Sequence, residues 1–208
     1  YKLLKLIETM EKKIKIAVIA PPFTVIPPKG QGGTERIIEA MVEGLQKRGY
    51  GITLFGAGKY QGSARFVQIF KKTISEMNFN PAKIESSRCL RMETVYLAKV
   101  MEEIIKRQND FNLILNHARA GYLFLPLSNF LKIPMAHILH LPLFQELKDF
   151  LSLYKQPNII TISDSQRKGA PGINYLSTVY NGVDIKKFEF CPLPKDYFLF
   201  MGAMGEHK

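Results

Sequence analysis

The sequence predicts an α/β fold, a Rossmann-like, doubly covered and mostly parallel sheet, and three observations lead there. Apolar, often β-branched runs recur at strand length, at 14–20, 51–56, 112–116, 133–139 and 158–162. Longer stretches with apolar residues at helical spacing lie between them. A glycine-rich corner joins the first such strand to the first such helix. Strands alternating with helices need crossover connections, which make neighbouring strands parallel and cover both faces of the sheet.

Residues 14–20 are too short and too β-branched for a signal-peptide core and read as a buried first strand. The corner Pro27-Pro28-Lys29-Gly30-Gln31-Gly32-Gly33-Thr34-Glu35-Arg36 follows. Ile37, Ile38, Met41, Val42 and Leu45 then mark one face of a helix ending near Gly49. Residues 51–56 form a second strand, closed by Gly56-Ala57-Gly58, and 65–70 a third. The longest helix is predicted over 81–108, with Val95, Leu97, Val100, Met101, Ile104 and Ile105 as its apolar positions. Strand 112–116, helix 121–131 and strand 133–139 come next. Strand 158–162 runs into a polar turn at 163–167, and strand 177–180 ends at the turn Asn181-Gly182. A last apolar run covers 197–201.

The bulk numbers fit this reading. A chain of 208 residues with 46% hydrophobic content can bury a proper core. No apolar run approaches the roughly 20 residues of a membrane span, so a soluble cytoplasmic protein is expected. Cys89 and Cys191 lie far apart without metal-type spacing and read as inert packing residues of a reducing compartment. Lys and Arg outnumber Asp and Glu by 29 to 18, a net charge of +11, which suits an anionic partner. Nucleic acid is not expected, because no zinc knuckle, aromatic-basic interleaving or basic heptad helix accompanies the charge. An anionic membrane surface, with the protein peripheral on it, and nucleotide phosphates remain.

At the glycine corner, backbone can approach a ligand without a Cβ between them, and the first amides of the following helix lack intrahelical partners and favour anions. The spacing is not the dinucleotide fingerprint, since the last glycine of G-x-G-x-x-G falls on Glu35. Ligands of such sheets collect at the carboxyl ends of the strands. His117 and His140 each end a predicted strand at that edge, whereas His137, three residues before His140, points to the opposite face as a core histidine. A zinc site is not expected, because strand geometry splays His137 from His140 and no third ligand accompanies them.

These residues resemble a known family, the nucleotide-sugar-dependent glycosyltransferases of family 4, which have the two-domain GT-B fold. Pro27-Pro-Lys-Gly-Gln-Gly-Gly-Thr-Glu35 is similar to the family's first loop, and 112–117 to its strand ending in histidine. Ile133-Pro-Met-Ala-His-Ile-Leu-His-Leu-Pro-Leu143 resembles its strand with a terminal active-site histidine. Ile162-Ser-Asp-Ser-Gln-Arg167 is similar to an Ile-Ser-x-Ser-x-Arg segment, and Val179-Tyr-Asn-Gly-Val-Asp184 with Phe188 to the lead into a second domain. The five matches are collinear.

The resemblance implies transfer of a sugar, with retention, from a nucleotide-sugar donor to an acceptor sugar or lipid-linked acceptor. A UDP- or GDP-sugar would be substrate, and no cofactor or metal is implied. His140 would stand beside the reacting sugar. Gly32, Gly33, Thr34, Glu35, His117 and Arg167 would line the donor or acceptor cleft, and Lys208 would approach the donor diphosphate. Residues 1–9, before Met10, read as a tag or upstream remnant, 10–190 as the acceptor-side domain, and 191–208 as linker and first strand of a truncated donor-binding domain. The family's Gly-Arg after that strand is here Gly202-Ala203, and the acidic pair of the donor domain is absent, so the chain alone is expected to be inactive and to need a missing or separate donor domain. Two alternatives stand beside this reading: a non-catalytic sugar- or lipid-binding module, and one chain of a split two-chain enzyme. A related epimerase would need carboxylates in the cleft, and no convincing pair stands at the strand ends.

Overall fold

The computed structural model describes residues 13–77, 86–193 and 196–200. The strands are β1 (Lys15–Ile19), β2 (Gly51–Ala57), β3 (Arg65–Phe70), β4 (Leu113–Asn116), β5 (Met135–Leu139), β6 (Ile159–Thr161) and β7 (Tyr175–Thr178), and the helices α1 (Gly33–Lys47), α2 (Ser86–Arg107), α3 (Leu125–Ser128), α4 (Gln145–Ser152) and α5 (Asp164–Lys168). All seven strands join one sheet in the order β3-β2-β1-β4-β5-β6-β7, and every pair is parallel. Order reverses between β1 and β4, which opens a crevice at their carboxyl ends.

Both faces are covered, which is why β1 and β2 read as continuous apolar runs rather than alternating ones. Ile16, Val18, Ile52 and Leu54 pack on Ile38 and Val42 of α1. Ala17, Ile19, Phe55 and Ile114 pack on Tyr96, Leu97, Val100 and Ile104 of α2. A third cluster, with Leu125, Leu147, Leu151 and Ile159, closes the far end of the sheet. Tyr96 is fully buried, and its hydroxyl donates to the carbonyls of Ala20 at 2.8 Å and Phe55 at 3.3 Å, tying α2 to the ends of β1 and β2.

Several local readings differ from the structure for identifiable reasons. The buried stripe of α2 runs through Tyr96, while Val95 and Ile105 are about half exposed, at 49% and 47%. Leu97, Val100 and Ile104 lie on this stripe as expected, with Met101 beside it. The stretch 121–131 is a single 3-10 turn, Gly121–Phe124, followed by the short α3, since Pro126 removes a backbone donor and the Ser128 hydroxyl donates to the Leu125 carbonyl. The polar turn at 163–167 is α5. Ser163 caps it by accepting the Gln166 N–H, and the Gln166 side chain returns to the Ile162 N–H, the logic of a capping box. Strand β7 starts earlier than read, at Tyr175.

The link from β2 to β3 crosses without a helix. The stretch 58–64 turns at Gly58 (φ +71°), pairs Tyr60 with Ile26, and stacks Tyr60 on Phe66 at 5.2 Å. Cys191 is exposed rather than packed, and Cys89 is only half-buried. Residues 197–200 pair with no strand and stand exposed; residues 1–9, 81–85, Met201, Gly202, Ala203 and Lys208 lie outside the described residues. Among the described residues no helix is long and apolar enough to cross a membrane. Tyr96→Phe leaves the Ala20 carbonyl without its donor, so a loss of about 1–2 kcal/mol in unfolding free energy is expected from denaturant titration. An unchanged value would contradict the tie.

Candidate functional site

The crevice is built from the loops that follow β1, β4 and β5. The backbone N–H of His117 donates to the Ile19 carbonyl at 2.9 Å, so the end of β4 is fastened to the end of β1. Register then decides which side chains meet. Asn116 pairs with His137, which puts His117 beside Ile138, and His140 stands two residues further on the same face. The rings of His117 and His140 stack at 5.1 Å with 27° between their planes, and His117 Nδ1 lies 2.9 Å from His140 Nε2. One of those two nitrogens carries the shared proton.

Burial decides the charge of the pair. It pushes His117 down to about 3, helped by the neighbouring His140, and His140 down to about 4. Both imidazoles are therefore neutral near pH 7. His117 Nε2 is buried with no hydrogen-bond partner among the described residues.

His137 occupies the opposite face, as its spacing implied, in a network of its own. Asn116 Oδ1 accepts the Ala118 N–H, so its amide nitrogen faces the Gly121 carbonyl at 3.2 Å and His137 Nδ1 at 3.3 Å. His137 Nδ1 is then the acceptor and Nε2 carries the proton. Burial holds this ring at about 4.

The glycine corner serves mainly to shape the loop. Gly32 (φ +153°) caps α1, and a Cβ there would meet Pro28 Cβ at 2.7 Å, whereas a Cβ at Gly30 or Gly33 would meet nothing within 4 Å. Thr34 is half-buried in the first turn. Glu35, the residue that spoiled the fingerprint, is 3% exposed, and its carboxylate faces its own backbone N–H. It stands where a phosphate would rest on the helix N-terminus.

Two site residues carried no motif. Arg119 places its guanidinium 4.0 Å above the Phe23 ring and draws charge from both Glu35 and Glu93. Glu93 is 9% exposed, and burial raises it, as it raises Glu35, against the pull of Arg119. Glu93 thus brings one carboxylate to the cavity beside His140, from α2 rather than from a strand end. The signal was present: Glu93 lies three, four and seven residues before Tyr96, Leu97 and Val100, on the buried stripe.

Arg167 turns away from the histidines. Its Nη1 donates to Thr178 Oγ1 at 3.4 Å, and its guanidinium lies over Tyr175 at 5.3 Å. Its neighbour Gln166 holds the site instead, donating to the carbonyls of Leu139 and Leu141 on either side of His140. Lys208 lies outside the described residues. Three cavities meet at the pair. The largest, about 430 Å³, is an apolar space between α1 and β4–β6 that reaches His117. The chemistry-bearing ones are smaller: about 400 Å³ between His140 and Ser163, Ser165 and Lys148, and about 240 Å³ above Glu93, Arg119 and His140. Among the described residues no group of three His, Cys, Asp or Glu side chains is placed to hold a metal ion.

Acid should weaken the fold through the histidines. Their folded values lie below the ordinary 6.5, so their contribution is full above that pH and is lost as pH falls toward 4 and 3. Glu35 and Glu93, raised above 4.5, act oppositely and lose their contribution as pH rises through their folded values. Comparing the parent with His137→Gln cancels the carboxylates. The stability lost between about pH 7 and about pH 5 should shrink by about 1–2 kcal/mol in the variant. Equal losses in urea titrations would contradict a neutral buried ring.

By sequence, no family model and no curated protein matches this chain. Solved structures do. Sucrose-phosphate synthase from Thermosynechococcus elongatus superposes with a TM-score of 0.57 at 13% identity, over 85% of this chain and 50% of that one. AviGT4, a glycosyltransferase involved in avilamycin A biosynthesis, gives a TM-score of 0.49 at 16% identity, over 85% and 44%. This chain thus spans about half the length of these glycosyltransferases, and at such identities what it shares with sucrose-phosphate synthase is the fold.

Proposed function

We propose that this chain supplies the acceptor side of a glycosyltransferase of the GT-B kind, similar to family 4. A sugar would pass, with retention, from a UDP- or GDP-sugar held by a donor-binding domain to an acceptor in the crevice. The observation that carries the reading is the neutral, stacked His117–His140 pair at the topological switch point. The shared fold of a sugar-transferring enzyme supports it.

Neutrality suits the chemistry. Breaking a glycosidic bond to a phosphate leaves positive charge on the sugar ring, and a cationic imidazole beside it would oppose that charge, whereas a neutral one can accept or donate a hydrogen bond to a sugar hydroxyl. His140 Nε2 is engaged by His117, so Nδ1 is the nitrogen left to meet the sugar. His117 acts through His140 by fixing its ring, as a positioning residue.

The departing diphosphate needs cations or amides. Arg119 rests on Phe23 under the pull of both carboxylates, Arg167 is tied to β7, and Glu35 faces its own backbone N–H at the start of α1. The leaving group would therefore be held from the opposite domain. In the full product of the reading frame that encodes this chain, given UDP- and GDP-sugars with a cell extract as acceptor, acceptor-dependent release of nucleotide diphosphate is expected. His140→Ala should lower it by about 100-fold. Release untouched by His140→Ala, or no release with any donor, would overturn the reading.

A further inference from the structure

The cavity of about 240 Å³ between α2 and the segment after β5 has two unlike ends. One is polar. Glu93 is nine-tenths buried there, and its Oε1 has no hydrogen-bond partner among the described residues, although Arg119 and His140 line the same cavity. A buried carboxylate oxygen left without a donor costs about 1–3 kcal/mol or more, and native proteins leave few such atoms unless a ligand completes them. The polar end is thus an acceptor waiting for an O–H or N–H.

The other end is apolar and open. Leu143 and Leu147 line its interior, and Leu90, Leu141 and Phe144 form the rim at 62%, 52% and 55% exposure. Leu141 and Phe144 follow His140 directly, so the residue that would meet a sugar and the residues that form an apolar rim belong to one short segment. A free sugar would satisfy the carboxylate and leave the rim wet. A plain hydrocarbon would cover the rim and leave Glu93 Oε1 unpaired.

We propose that this cavity binds an amphiphilic alcohol: a sugar or polyol headgroup donates a hydroxyl to Glu93 Oε1, and an attached alkyl, prenyl or aromatic body lies against Leu141 and Phe144. Its role as acceptor rests on the function proposed above. Its role as a binding site does not, and the test reads binding alone, so failure of transfer and failure of this site are separable.

The probes are n-octyl β-D-glucoside, kept below its micelle concentration, and methyl β-D-glucoside, titrated into the full-length protein and followed by calorimetry and saturation-transfer NMR. The octyl probe should bind at least about tenfold more tightly than the methyl probe, through the apolar area it buries. Phe144→Ser, at an exposed position, should remove that advantage, and Glu93→Gln should weaken the octyl probe by about tenfold through loss of a charge-assisted hydrogen bond. Equal binding of the two probes, or binding of neither, overturns the proposal. So does octyl binding that ignores both variants, which would place the probe elsewhere, as in the larger apolar cavity under α1. Sensitivity to Phe144→Ser alone overturns the hydroxyl contact to Glu93. If Glu93→Gln lowers the thermal midpoint too far for titration, the Phe144→Ser comparison still decides between amphiphile and free sugar.

Discussion

The site depends on one partly buried hydrogen bond, His117 Nδ1 to His140 Nε2, at the carboxyl edge of a parallel sheet. Its geometry is inherited from backbone ladders. β4 is fastened to β1 through His117 N–H and Ile19 C=O, and β5 is set against β4 with Asn116 opposite His137. A slip of one residue in β5 would send His140 to the α2 face and bring His137 toward His117. The Asn116 side chain, holding Ala118, Gly121 and His137 at once, blocks that slip from behind.

Burial sets the electrostatics around this bond. Burial, full at His117 and partial at His140, opposes charge on either imidazole, so the pair presents hydrogen-bonding capacity without a field. The charges nearby partly compensate: the Arg119 guanidinium, which rests on the Phe23 ring, pulls both buried carboxylates down against the effect of their burial. The open side of the crevice is lined by apolar residues of the segment after β5.

Much of this was legible in the sequence, and the rest failed for physical reasons. Period-two and continuous apolar runs located most strands, and the spacing of His137 and His140 separated their faces, because both signals are local and geometric. The corner around Gly32 was visible, but the role of Glu35 was not: a carboxylate that serves its own helix start looks like an anomaly in a phosphate loop. Glu93 was hidden because a charged residue on a helix otherwise rich in Lys and Arg reads as solvated, although it falls on the stripe of Tyr96, Leu97 and Val100. Pro126 was a local signal overruled by apolar content, whereas the capping residues Ser163 and Gln166 sat in a stretch whose polarity read as a turn. The meeting of Arg119 with both carboxylates is tertiary, and no spacing encodes it.

The central claim is that His117 and His140 share a proton and stay uncharged. The direct measurement is 15N NMR of both imidazoles from about pH 7.5 down to about pH 5, where an ordinary histidine titrates. The account expects each ring to keep one protonated and one bare nitrogen throughout, with a scalar coupling across the shared hydrogen bond. A midpoint near the ordinary value of 6.5 for either ring would contradict it.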